Sequence, residues 1–196
     1  MKKLNEFTKI KNKKLLFLLN YAQLELIEQS DMEVFEIKKD EKITGLCIKL
    51  SGKLAELPSI KNNKIVTNNR AIVTGAHSVN KLVAITVLFK DRCDFKGFGN
   101  ERVFVMCVNG KRNKIFDVDN TLNSVCDLLQ SDVSTRTWGL GLINNDNQIT
   151  AMSVHSEHVE LNDNEDTYIV IHRLDSVSVE VISFFQEMIK LKGVIQ

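Results

Sequence analysis

Apolar positions along the chain change period several times, and each change predicts an element. Over 14–29, Leu15, Leu19, Ala22 and Leu26 recur at helical spacing, which predicts one amphipathic helix. Val34-Phe35-Glu36-Ile37 and the run 43–50 read as two strands around a charged turn at 39–42. A second helix is predicted over 75–91, with Thr74 as its N-cap. The glycine-containing stretch 95–100 reads as a turn. Residues 102–108 are apolar on both alternating faces, the pattern of a central strand, and a basic loop at 109–114 follows. Further on come a helix over 120–130, a loop at 131–139, strands at 148–160 and 167–173, and a helix over 176–192 that stops at Gly193.

This order of elements predicts an α/β or α+β class, with one compact domain, a mixed sheet, helices packed on it and extra helices at both ends. The chain divides into an N-terminal helical extension (1–42), a core (43–173) and a C-terminal helix (174–196). There is no internal repeat and no low-complexity linker.

Composition adds little until it is resolved by position. The 196 residues are 43% hydrophobic and 26% charged with one proline, values of a globular protein rather than a disordered one. Cys47, Cys93, Cys107 and Cys126 lie far apart without a CxxC pair, which favours reduced thiols over a disulfide framework or zinc site. The start lacks the apolar core of a signal peptide, and the run 15–19 is too short to span a bilayer. A soluble, cytoplasmic protein with no membrane partner is expected.

The net charge of +1 argues at first against a nucleic-acid partner. Its distribution does not. Residues 1–14 carry +5, 15–60 carry −3, 61–114 carry +8, 115–167 carry −9, and 168–196 balance. A basic block therefore abuts an acidic one, with the switch at Asp117. Such an arrangement can place a cationic surface beside a carboxylate cluster, as a metal-using, phosphate-cutting site requires, although two separate solvated faces would give the same counts.

The acidic block opens with Asp117-Val118-Asp119-Asn120. Alternating aspartates in an extended segment share a side and can hold Mg²⁺, which takes few carboxylates, several waters and phosphate oxygens. Asp119 is also placed to cap the following helix, which is its purely structural role. Asp146, in Asn144-Asn145-Asp146-Asn147-Gln148, is a candidate third ligand or a member of an Asn/Asp-rich turn.

Two resemblances follow from these residues. Phe116-Asp117-Val118-Asp119-Asn120-Thr121-Leu122 resembles the first motif of the haloacid-dehalogenase phosphatases, which implies a nucleophilic first Asp. A polar interval at 109–114 and the scarcity of later lysines count against it. The second resemblance covers about residues 43–173 and is to the RusA family of Holliday junction resolvases. It is carried by Leu57-Pro58-Ser59-Ile60-Lys61-Asn62-Asn63-Lys64 with Asn69-Arg70, a Thr-capped helix, an apolar strand, and Lys111-Arg112-Asn113-Lys114. Asp117-Val118-Asp119-Asn120-Thr121-Leu122, with Asp127 on the same helix, and Asn145-Asp146-Asn147-Gln148-Ile149 complete it.

The resemblance implies a homodimeric, Mg²⁺-dependent (Mn²⁺ as the alternative) endonuclease that resolves four-way DNA junctions by paired nicking. It implies Asp117, Asp119 and Asp146 as catalytic metal ligands, with Asn120, Asp127 and Gln148 as secondary members. Lys61, Lys64, Arg70, Lys111, Arg112 and Lys114 are the candidate phosphate contacts. Asn123 stands where the family has lysine and Asn145 where it has aspartate. A catalytically weakened junction-binding protein is therefore the rival reading.

The remaining residues of interest have bland readings. His155 and His158 lie three apart in a strand, on opposite faces, so a shared metal is not expected. His77 and His172 have no evident partner. Phe116 and Trp138 suit core packing or base stacking.

Overall fold

The first element departs from its prediction. The structure, a computed structural model, describes residues 9–57, 64–67, 70–73, 76–111, 118–130, 139–159 and 165–176. Where periodicity predicts one helix over 14–29, two form: α1 (Lys13–Leu16) and α2 (Tyr21–Glu28). Asn20 breaks the run. Its side chain accepts from the Gln23 backbone N–H, while the Gln23 side chain accepts from the Asn20 N–H in a closed capping box. The buried stripe shifts with the break, to Leu16, Leu24 and Ile27, and Ala22 is exposed.

Strands β1 (Ser30–Lys39) and β2 (Lys42–Gly52) make the expected hairpin. Its two linking residues, Asp40 and Glu41, both have positive φ (50° and 64°). That turn hand matches strand twist but normally recruits Asn and Gly. Between Ile37↔Gly45 and Lys38↔Ile43 the register skips Thr44, a β-bulge. A second, separate hairpin follows, β3 (Lys64–Thr67) and β4 (Arg70–Val73).

Helix α3 (Ala76–Arg92) is the centre of the core. Leu82, Val83, Ile85, Val87 and Leu88 are almost fully buried, each contributing about 1.5–3 kcal/mol of burial free energy. Strand β5 (Val103–Lys111) follows, then α4 (Val118–Leu129), β6 (Ile149–His158) and β7 (Asp166–Arg173). The five-stranded sheet has the order β1-β2-β7-β5-β6, so β5 is interior as predicted. Only β5 and β6 run parallel in it, and α4 lies in the crossover between them. Leu46, Ile48, Leu50, Val105, Ile169 and Ile171 belong to the same apolar cluster as α3.

The mixed sheet with packed helices makes a single compact α+β domain, as expected. A 3₁₀ turn (Leu174–Ser176) follows β7, and the predicted helix at 176–192 beyond it lies outside the described residues, as does Thr74. No helix among the described residues is long and apolar enough to cross a membrane.

Candidate functional site

Strand β5 runs three residues further than its apolar pattern indicates. Asn109, Gly110 and Lys111 pair with Ser156, Glu157 and His158, so the basic loop does not start at 109. Alternation failed here because the strand continues on backbone pairing after its apolar side chains end. The polar interval that separates β5 from Phe116 is correspondingly shorter.

Helix α4 begins at Val118, which places Asp119 inside the first turn and not at the N-cap. Its exposed carboxylate still meets the positive end of the helix dipole. One turn later, Asn123 folds back and donates from Nδ2 to the Asp119 carbonyl at 2.6 Å, and Ser124 Oγ donates to the Asn120 carbonyl at 2.7 Å. The position that the resemblance assigns to lysine is thus engaged with its own helix.

Asp146 opens a 3₁₀ turn (Asp146–Gln148) ahead of β6 and is exposed. Asn145 is its N-cap and accepts from the Asn147 N–H at 3.0 Å. Gln148 is buried and its amide is fully used. It donates to the Gly99 and Glu101 carbonyls (both 2.8 Å) and accepts from the Asn144 N–H at 2.7 Å. This network fastens the 3₁₀ turn to the 95–100 turn, a structural task for Gln148 and Asn145.

Asp146 lies beside the later part of α4. Burial pushes the Cys126 thiol up, and the negative charges of Asp146 and Asp127 push it further. Cys126 is seven residues beyond Asp119, about 10 Å along the helix axis. The isolated bridge Gln130↔Ile143 ties the segment before Asp146 to the C-terminal end of α4. Asp119 and Asp146 therefore attend different stretches of α4. Among the described residues no three His, Cys, Asp or Glu side chains form a group able to hold a metal. Asp117, Lys61, Arg112, Lys114, Phe116 and Trp138 lie outside the described residues.

Donor chemistry at Asp119 fits Mg²⁺, since an exposed carboxylate supplies the hard oxygen that this ion takes alongside waters. The location fits as well: α4 starts beyond the carboxyl end of β5, where parallel strands commonly present ligand sites.

Sequence reasoning missed the connection between the two basic segments. The Thr167 hydroxyl, buried at the start of β7, contacts both the Ala55 carbonyl and the Asn109 side-chain amide. Both partners are acceptor oxygens, the Ala55 carbonyl and Asn109 Oδ1, so the single hydroxyl proton of Thr167 is shared between them. Ala55 belongs to the stretch that leads into Pro58, and Asn109 lies two residues before Lys111. Lys81 Nζ on α3 holds the same stretch, 2.7 Å from Glu56 Oε2 and 3.2 Å from the Glu56 carbonyl. Ala55 and Asn109, which precede the two basic segments in the chain, therefore meet at the carboxyl end of β5. No sequence signal marks Thr167, because its partners lie 112 and 58 residues away.

Among the histidines, His155 and His158 are exposed on β6, and His155 Nε2 is 2.7 Å from Ser153 Oγ. His172 is buried, with Thr44 as the partner that the sequence did not reveal. Comparison with protein-family models and with curated proteins finds no match for this chain.

Proposed function

We propose that the chain is a Mg²⁺-dependent, structure-specific DNA endonuclease that nicks four-way junctions as a homodimer. The observation that carries this reading is the Thr167 bridge between Ala55 and Asn109. It brings the roots of the Pro58 segment and of the Lys111 segment to the end of the sheet where α4 starts with Asp119. Cationic side chains from two segments would then straddle the carboxylates and engage the phosphates on either side of the cut.

When bound, Mg²⁺ would stabilise charge on the scissile phosphate and activate water for attack. Asp117 and Asp119 would hold it, Lys61, Lys64, Arg70, Lys111, Arg112 and Lys114 would position the backbone, and Asp146 would act from the flank of α4. The two-fold symmetry of a homodimer would match that of the junction.

The test is to incubate the protein with Mg²⁺ and labelled four-way junction, linear duplex or p-nitrophenyl phosphate. Paired junction nicks, lowered at least about a hundredfold by Asp119→Asn, are the expected result. Junction binding without nicking would replace the enzyme by a binding protein. Phosphatase turnover without junction binding would overturn both readings.

A further inference from the structure

The outer surface of the N-terminal helical hairpin carries apolar groups that the core does not use. Phe17 is 81% exposed, Leu18 57% and Tyr21 47%. They are not on a loose tail. At one end the Asp91 carboxylate accepts from the backbone N–H groups of Lys11 and Asn12 (2.9 and 2.7 Å). At the other, the side chains of Asn20 and Gln23 reach Asn80 (3.4 and 3.0 Å). Both anchors are on α3, eleven residues or about 16 Å apart along its axis. Between them the Leu18 and Leu19 N–H groups close tight turns onto the Leu15 and Leu16 carbonyls. The fold therefore presents two aromatic rings outward from a fastened support.

From Lys9 up to Tyr21 the charge along the chain is positive, and exposed Glu25 follows one helical turn later. Lys9, Lys11, Lys13 and Lys14 precede Phe17, and no acidic residue occurs between Glu6 and Glu25. Lys11, Lys13 and Lys14 are exposed. Lys9 is committed to the Ser30 carbonyl.

We propose that Phe17 and Tyr21, flanked by Lys13 and Lys14, form a stacking ledge for unpaired bases of a nucleic-acid strand. This extends the endonuclease reading and takes its ligand class from it. Exposed rings offer π-faces to bases of any sequence, and the lysines neutralise phosphates beside them, the combination that holds single strands without sequence preference. An open branch point supplies such unpaired bases.

The probe is fluorescein-labelled (dT)20, titrated with the full chain in EDTA so that no cutting intervenes, with anisotropy read at several salt concentrations. Phe17→Ala and Tyr21→Ala should each weaken binding about tenfold at an unchanged salt slope. Phe17→Trp should restore it. Lys13→Gln and Lys14→Gln should each lower the log–log salt slope by roughly 0.7. Circular dichroism checks that the fold persists.

Affinity for (dT)20 unchanged in both alanine variants overturns the ledge. So does binding of phosphatidylserine-containing vesicles through Phe17 without binding of (dT)20, which would make the surface a membrane contact. If junction nicking is intact while the alanine variants bind (dT)20 normally, the ledge fails and the endonuclease reading stands. If Phe17-dependent (dT)20 binding occurs without nicking, the ledge stands and the endonuclease reading fails.

Discussion

The imidazole of His172 occupies the space where a side chain at Gly45 would begin. A Cβ there would sit 2.4 Å from His172 Cδ2 and 2.8 Å from the Ile171 carbonyl oxygen. The ring cannot retreat freely, because Nε2 is 3.1 Å from Thr44 Oγ1 and Nδ1 donates to the Arg173 carbonyl at 2.9 Å. The bulge supplies the Thr44 contact, turning a side chain that regular alternation would send elsewhere. Gly45→Ala should therefore cost about 2 kcal/mol, read as a fall of roughly 4–8 °C in melting temperature. An unchanged melting temperature would show that the ring moves aside at no cost.

The β1–β2 turn should respond in the opposite direction. Glu41 holds φ at 64° with a side chain present, a conformation that costs L-residues about 1 kcal/mol. Glu41→Gly should raise stability by about 0.5–1 kcal/mol, measured by urea unfolding, with the activity assays unaffected.

These two sites show what was legible. The hairpin was, because alternation and a polar break are local signals. The bulge beside it was not, since inserting one residue into a ladder leaves no compositional trace. Similarly, the β5–α4 junction could be placed from apolar runs, whereas the extension of β5 to Lys111 depends on a partner strand 45 or more residues later. For the candidate site, the helix start beside Asp119 and the turn holding Asp146 were legible as local signals. Their placement along α4 follows from the crossover geometry, which spacing cannot supply.

Lys81 and Glu56 make an asymmetric ion pair, with side-chain exposures of 5% and 74%. The lysine stem is packed and its ammonium also holds a backbone carbonyl, while the carboxylate is well solvated. Lys81→Ala should cost about 2–3 kcal/mol and Glu56→Gln under about 1 kcal/mol in urea unfolding. Equal losses would contradict this division.

Acid should weaken the attachment of α3 to β1. Burial alone would raise the Asp31 carboxyl, but the Arg92 guanidinium at 2.9 Å, the Met32 N–H and the Lys9 charge outweigh it and hold the group below the ordinary aspartate range. A depressed folded-state value means that the carboxylate stabilises the fold above the unfolded-state value near 3.8, and that this contribution fades as pH falls through the lower folded value. Urea midpoints measured across pH 2–6 should fall more shallowly for Arg92→Gln than for the parent chain. Parallel curves would remove Asp31 from the account.

The thiols should divide by position. Burial, aided by the Glu33 charge, pushes Cys47 up to about 12, so almost no thiolate exists at pH 8. Cys107 is fully buried, while Cys93 and Cys126 are partly exposed with thiols also raised. Ellman's reagent on the native protein should modify Cys93 and Cys126 slowly, and Cys47 and Cys107 only on unfolding. Early loss of all four thiols would show that the sheet opens readily.

The strand order also dictates a timetable for synthesis. Strand β7 lies between β2 and β5, so it is the piece that joins the β1–β2 hairpin to the parallel β5–β6 pair, and among the described strands it is the last to leave the ribosome. Until residue 173 has emerged, the nascent chain holds two half-sheets, each with a bare edge facing the gap that β7 will fill. Any stall or truncation before that point would leave two sticky edges in one molecule. The closing strand thus acts as a checkpoint on whether synthesis has passed Arg173.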